Sequence, residues 1–221
     1  MTKPTLLLNV GTAFSASSPL HYTLCLDHKY AHSGVCKENW YLYNLQENTN
    51  KQFRASKRFA ASKLSSKPPE TIDEHNWRIL EGKRSIDTYI EYYKRHWEYL
   101  DGEYKSLGDF CNKMAVMDDE YLSYIRDKLV DFDIKITLIF RDPIRKIWSE
   151  ARTQYNRMYN KKGGVRQTSL YGKVYEKHVR VFGEDRVFPM VMERVWENPS
   201  ELSNFLGHPI PKMHRNAYYP E

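Results

Sequence analysis

The chain has 221 residues, and 34 Lys and Arg against 28 Asp and Glu give it a formal net charge of +6 and a pI near 9.0. Hydrophobic residues form 41% of it and charged residues of both signs 28%, which suits a single globular domain and excludes a disordered tail protein or a histone-like polycation. No run approaches the roughly 20 apolar residues that span a bilayer.

The first element is a short apolar run, Thr5 to Val10, ending at Gly11. It reads as a buried parallel strand and not as a signal peptide, because no small-residue cleavage site follows. A loop of small residues, Gly11 to Ser17, comes next. Ser18-Pro19 then offers an N-cap with proline at the first helical position, and Leu20 and Leu24 lie one turn apart on the helix it opens. Lys51 to Lys67 carries six cations and no acid, and Pro68-Pro69 breaks the chain after it. Ser85 to Leu100 has helical spacing of Ile86, Tyr89, Ile90, Tyr93 and Trp97. The stretch from about 51 to 100 reads as an insert on the acceptor side of a cleft, although a basic run is also what a solvated loop looks like.

Asp118 can cap a helix carrying Leu122, Ile125 and Leu129. Ile134 to Phe140 is the most strand-like run in the chain. It ends at Arg141, and Asp142-Pro143 can open a helix on which Ile144, Ile147, Trp148, Ala151 and Tyr155 recur with amphipathic spacing. Ser169 to Val181 reads as a helix stopped by Gly183. Arg186 to Met192 reads as a strand whose Pro189 requires an edge or a bulge. Asn198-Pro199 opens a last helix that Gly207 ends. Strands alternating with helices predict an α/β fold around a mainly parallel sheet. Cys25, Cys36 and Cys111 are an odd number without a CxxC pair, so neither a disulfide framework nor a zinc site is expected, and a reducing, cytoplasmic setting is the simplest one. The 17 tyrosines fit either a wet binding cleft or a polar-rimmed core.

Two segments carry chemistry. A strand that feeds a small-residue loop and then a helix start makes an anion site from backbone N–H groups and the positive end of the helix, with Ser15, Ser17 and Ser18 adding hydroxyls. The loop lacks the Gly-Lys-Ser/Thr of a Walker A sequence. In the second segment Arg141 stands where a strand ends, and Arg145 and Ser149, four residues apart, share a helix face. A guanidinium fork and a hydroxyl near a helix start suit a phosphate.

Together these segments resemble the sulfotransferases that use 3′-phosphoadenosine 5′-phosphosulfate (PAPS), most of all the carbohydrate, heparan-sulfate-type branch and its bacterial and viral relatives. The resemblance runs from about Thr5 to Gly207. The family's first loop, roughly G-x-x-K-x-G-T-T-x-L, holds the 5′-phosphosulfate and is matched in spacing by Gly11, Thr12, Ala13, Phe14, Ser15, Ala16, Ser17, Ser18, Pro19 and Leu20. Its R-(N/D)-P-x-x-R-x-x-S segment binds the 3′-phosphate through the first Arg and the Ser, and this chain supplies Arg141, Asp142, Pro143 and Ser149 at those positions, with Arg145 one residue before the place of the second Arg. Ser169-Leu-Tyr171 through Gly183 resembles the family's S-x-Y helix, and Met192 through Gly207 its ending. Gly34 to Tyr41 resembles the stretch whose Glu is the base in the carbohydrate branch, here Glu38, and Lys105 to Phe110 resembles the stretch whose Lys lies at the active site.

The resemblance implies a P-loop-like three-layer sandwich with helices flanking a mainly parallel sheet. It also implies a PAPS-dependent enzyme that needs no metal. Glu38 and Lys105 would be catalytic, and Gly11, Thr12, Ser15, Ala16, Ser17, Ser18, Arg141, Ser149 and Tyr171 would bind the nucleotide. The acceptor would present a hydroxyl or an amine, a carbohydrate being one candidate and an acidic acceptor the natural partner of the basic run. Phe14 departs from the pattern, since the family usually places a cation there. Lys105, Lys37 and His21 are candidates to replace it. Met192 stands in place of a Tyr, and Lys212 and Arg215 alone stand near a later basic loop. Phe14 motivates an alternative reading, a non-catalytic nucleotide-binding protein on the same fold. The net charge suggests a third, a nucleic-acid-binding module, but no recognised nucleic-acid motif accompanies it.

Overall fold

Pro4 is followed by strand β1, Thr5–Asn9, in which Leu6, Leu7 and Leu8 are all fully buried. A strand with no exposed face must be covered on both sides, which the rest of the chain does. The computed structural model describes residues 3–11, 17–27, 29–33, 41–46, 85–154 and 170–212. Within them the helices are α1 (Ser17–His21), α2 (Tyr41–Gln46), α3 (Ile86–Leu100), α4 (Asp119–Lys128), α5 (Pro143–Gln154), α6 (Tyr171–Phe182), α7 (Met192–Val195) and α8 (Ser200–Leu206). The strands after β1 are β2 (Ala31–His32), β3 (Ser106–Asp109), β4 (Asp133–Phe140) and β5 (Val187–Val191). They form one sheet in the order β2-β3-β1-β4-β5, and every pairing in it is parallel.

Alternation along the strands divides the core in two. Leu6, Leu8, Ile134, Ile136 and Leu138 face one side, where α3, α4 and α6 pack with Tyr89, Leu122, Ile125, Val174 and Phe182. Leu7, Ile139 and Met190 face the other, against Leu20 and Leu24 after the first loop and Leu202 and Leu206 of α8. The result is an α/β fold around the parallel sheet that the alternation of elements predicts, in the three layers that the resemblance implies.

The sequence reading and the structure part at several elements. The strands β2 and β3 were not foreseen, because two residues and the sequence SLGD carry no apolar signature. Their neighbours make them strands: β3 pairs Leu107 with Leu6 and Gly108 with Leu7 of β1. Gly108 is required by this closeness, since a Cβ there would lie 2.9 Å from the Phe110 ring and 3.4 Å from the Ala31 Cβ. β5 is an edge strand, which accommodates Pro189, and it stops at Val191 so that Met192 begins α7.

The helical end of the expected insert, Ser85 to Leu100, is a helix on the main core. The Ser85 Oγ accepts from the Thr88 N–H at 3.1 Å and caps α3, which packs into the main core. The basic run Lys51 to Lys67 lies outside the described residues. Helix α3 also accounts for several tyrosines as polar-rimmed core. Tyr89, Tyr92 and Tyr93 are buried, and the hydroxyls of Tyr89 and Tyr93 donate to Asp109 Oδ2 at 2.8 Å and to the Gly108 carbonyl at 3.2 Å.

Two buried histidines make the fold sensitive to acid. His96 meets His32 at 2.5 Å between ring nitrogens, and burial, with the neighbouring His32 charge, lowers its pKa to about 4. His178 hydrogen-bonds the Val174 carbonyl at 2.7 Å, and burial likewise lowers it to about 4. Both are neutral in the fold at pH 7, whereas the unfolded chain takes up these protons below about pH 6.5. Their contribution is therefore complete above about pH 6.5 and declines as the pH falls toward 4, by about 2 kcal/mol each at pH 4.5. Melting temperatures measured at pH 7.0 and 4.5 should show this decline, and it should be shallower in His178→Asn. An unchanged slope in that variant contradicts the assignment.

Candidate functional site

In a parallel sheet the connections set the position of a crevice. The chain leaves β1 for the face carrying Leu20 and Leu24, and leaves β4 for the opposite face, which carries Val174 and Val181 of α6. β1 and β4 are adjacent, pairing Asn9 with Thr137, so a crevice opens between them at the carboxyl edge, where α/β sheets bind their ligands.

The first wall of the crevice is the small-residue loop. Its two described ends come together: a Cβ on Gly11 would lie 3.5 Å from the Ser17 Cβ and 3.5 Å from Asn9 Oδ1. Asn9 is fully buried below the loop and donates from Nδ2 to Thr137 Oγ1 at 2.8 Å, which ties β1 to β4 at the floor. Helix α1 begins at Ser17, one residue before the expected cap, and continues as a π-helical stretch, Tyr22–Asp27. Thr12, Phe14, Ser15 and Ala16 lie outside the described residues, as does the side chain of Ser18.

His21, a candidate to replace the loop cation, has two fixed contacts. Its Nε2 hydrogen-bonds Ser33 Oγ at 2.8 Å, and its ring meets Phe110 edge to face at 4.9 Å. Beneath it the Cys25 thiol is pushed up to about 12 by burial, partly offset by the Ser33 hydroxyl, so it remains a protonated thiol. Cys25 and Cys111 are both buried.

The second wall begins at Arg141, half-buried directly after β4. The Asp142 Oδ1 accepts from the Arg145 N–H at 2.8 Å and caps α5. The Phe140 ring packs on Tyr171, the first residue of α6, with centroids 4.8 Å apart, so Tyr171 also stands at this edge. Ser149 is half-buried and Arg145 is exposed, so the two do not share an environment. Among the described side chains of this helix Lys146 is a buried cation, with no exposed surface.

The apolar stripe of α5 turns outward: Ile144 is 77% and Trp148 72% exposed. Amphipathic spacing identifies a helix but not which face the fold turns inward, and here the inward face carries Lys146 and Ser149.

Lys105 does not join this group. The register that sets Leu107 beside Leu6 places Lys105 level with Pro4, at the amino edge of the sheet. Roughly seven residues of strand rise separate that level from Gly11, about 23 Å. The carboxyl end of β3 presents Asp109 instead, which is 1% exposed and receives the Tyr89 hydroxyl. Burial first, then the Asp109 charge, pushes Tyr89 well above the ordinary tyrosine pKa. Glu38, Lys37 and Arg215 lie outside the described residues, and Lys212 is exposed.

Asn9, Asp109 and Lys146 were missed by the sequence reading. Asn9 could have been found as the polar residue that interrupts a run of leucines, and Lys146 as the cation three residues before Ser149. Asp109 had no signal, because its strand had none. Among the described residues no cluster of His, Cys, Asp and Glu could hold a metal ion, and no helix is long and apolar enough to cross a membrane.

No family model matches the chain, and no curated protein matches it in sequence. Solved structures do match its fold. A sulfotransferase from Alicyclobacillus acidocaldarius is 16% identical with a TM-score of 0.57, covering 100% of this chain and 87% of that one. The sulfotransferase domain of the Synechococcus PCC 7002 olefin synthase is 18% identical with a TM-score of 0.57, covering 100% and 80%. The sulfotransferase domain of the curacin biosynthetic pathway is 13% identical with a TM-score of 0.54, covering 96% and 76%. At these identities the likeness is one of fold: the chain has the P-loop-like α/β architecture of the sulfotransferases.

Proposed function

We propose that this chain transfers a sulfuryl group from PAPS to a hydroxyl or amine of an acceptor. The observation that carries the reading is the meeting, at one carboxyl edge, of the close-set loop ends Gly11 and Ser17 with Arg141 and Tyr171 from the adjacent strand and the helix that follows. The half-buried guanidinium and the capped start of α5 suit a phosphate group, and the loop before α1 suits another. In the proposed assignment Arg141 and Ser149 hold the 3′-phosphate, Tyr171 lies beside it, and Gly11, Thr12, Ser15, Ala16, Ser17 and Ser18 surround the 5′-phosphosulfate.

When bound, PAPS supplies the sulfuryl group: the acceptor oxygen or nitrogen forms a bond to sulfur, and the sulfur–oxygen bond to the 5′-phosphate breaks with its electron pair going to the phosphate. Glu38 takes the acceptor proton as a general base. Positive groups at the crevice stabilise the charge that develops on the leaving phosphate. Lys105 is left out of this assignment because of its place at the amino edge. The acceptor is proposed as a carbohydrate or another molecule with anionic groups, met by the basic run from Lys51 to Lys67.

Incubation with radiolabelled PAPS and a broad panel of hydroxyl and amine acceptors should yield a labelled product, and Glu38→Gln should reduce its rate. Phe14 favours the second reading, in which the nucleotide binds and no sulfate moves. That reading is separated from the first by calorimetry: binding of adenosine 3′,5′-bisphosphate without transfer to any acceptor supports it. Failure to bind the bisphosphate removes both.

A further inference from the structure

The connection that follows β3 carries polar groups that the fold leaves unpaired. β3 ends at Asp109, and the chain passes from it into a short helical turn, Asn112–Val116, whose Met114 and Ala115 pack in the cluster with Leu6 and Leu8. The turn therefore leaves the sheet at the carboxyl edge, one strand from β1 and on the side away from β4. Lys113 lies in it, half-buried and still open to solvent. Among the described residues its ammonium meets the Tyr43 ring of α2, 5.5 Å from the centroid, and forms no ion pair. The carboxylates nearest to it along the chain are engaged. Asp109 accepts from the Tyr89 hydroxyl, and Asp118 accepts from the Tyr121 N–H at 2.8 Å and from the Gln46 amide. Amides on both elements are unsatisfied as well. Asn44 in α2 is 7% exposed, and neither of its amide atoms has a hydrogen-bond partner among the described residues; the Oδ1 of Asn112 is likewise buried without one. Buried amides are ordinarily paired, and an unpaired one is costly.

We propose that Lys113 is the anion-binding residue of an acceptor subsite, that Tyr43 positions it, and that the acceptor is a sugar bearing a carboxylate or sulfate group. The proposal rests on the sulfuryl-transfer reading above and names the residue that reads the acceptor's charge. A ring face attracts an ammonium without neutralising it, so the charge of Lys113 remains available to an anion. Half-burial strengthens its field relative to a fully solvated lysine. The amides at the same junction suit a polyhydroxylated molecule, because a hydroxyl both donates and accepts and so pairs with either end of an amide. The position also separates acceptor from nucleotide. The phosphate groups are assigned between β1 and β4, whereas Lys113 stands beyond β3. It brings the acceptor toward the proposed base: Glu38 precedes Tyr43 by five residues, so at most about 18 Å of chain separates them.

The test measures binding of three tetrasaccharides by calorimetry: a galacturonate oligomer, a sulfated tetrasaccharide derived from heparin, and neutral maltotetraose. The unaltered protein should bind at least one of the anionic sugars about 10-fold or more tightly than maltotetraose. Lys113→Met should reduce that preference to within about threefold and leave binding of adenosine 3′,5′-bisphosphate unchanged. Lys113→Gln should do the same if Lys113→Met does not fold. Tyr43→Phe keeps the ring and should retain the preference, whereas Tyr43→Leu should lose part of it. Equal binding of all three sugars by the unaltered protein overturns the proposal, as does failure to bind either anionic sugar or an unchanged preference in the Lys113 variants. Equally tight, Lys113-dependent binding of a single-stranded oligothymidylate also overturns it, since the site would then take any polyanion. The bisphosphate separates this failure from that of the wider reading. A protein that binds an anionic sugar through Lys113 but does not bind the bisphosphate keeps the sugar site and loses the sulfuryl-transfer assignment.

Discussion

Arg141→Ala should weaken binding of adenosine 3′,5′-bisphosphate by about 100-fold or more. The magnitude follows from the geometry available to the side chain. Arg141 leaves β4 at the carboxyl edge and is half-buried, so less side-chain freedom is left to lose on binding than for a fully exposed arginine. A guanidinium that grips a phosphate makes two charge-assisted hydrogen bonds, each contributing about 1.5–3 kcal/mol, and every 1.4 kcal/mol is roughly tenfold in affinity. Arg141→Lys keeps the charge and loses the fork, so it should recover only part of the loss. Titration calorimetry of the three proteins measures this directly. Bisphosphate binding by Arg141→Ala at the strength of the unaltered protein would refute the placement of the 3′-phosphate.

Phe110→Ala should lower stability by about 3–5 kcal/mol, the usual cost of emptying a fully buried aromatic site. At roughly 2–4 °C per kcal/mol for a chain of this size, the melting temperature should fall by about 6–20 °C. Phe110 is completely buried immediately after β3 and belongs to the cluster that holds Leu7, Leu20 and Leu24. Its ring also supports His21 edge to face, at the end of α1. The cavity would therefore open beneath the helix that follows the anion loop, and nucleotide affinity should fall along with stability. Phe110→Leu, which refills most of the volume, should cost clearly less. A fall below about 1 kcal/mol in Phe110→Ala would show that the neighbouring side chains close the space.

These two residues also show how far the sequence could be read. Arg141 was legible because it follows the most strand-like run in the chain and precedes Asp-Pro, two local signals that needed no partner. Phe110 was not, because the strand before it, SLGD, becomes a strand only through hydrogen bonds to β1, a segment about 100 residues away. The same difference separates α5 as a helix from α5 as a wall. Its spacing of apolar residues marked it as helical, yet the structure turns Ile144 and Trp148 to solvent and Lys146 inward.

By itself, then, the sequence determined the local units: the leucine strand, the small-residue loop, the Arg141 strand end, the capped helices and the alternation that yields a parallel sheet. These follow from propensity, capping and periodicity, which act over a few residues. Only the tertiary structure decided that β1 and β4 are neighbours, that their connections depart to opposite faces and open a crevice, that Lys105 stands at the far edge, and that Lys146 is buried. Each of these depends on which segments pair and which helix face meets the sheet. Burial energy across the whole core selects among those arrangements, and no short stretch of residues encodes that energy alone.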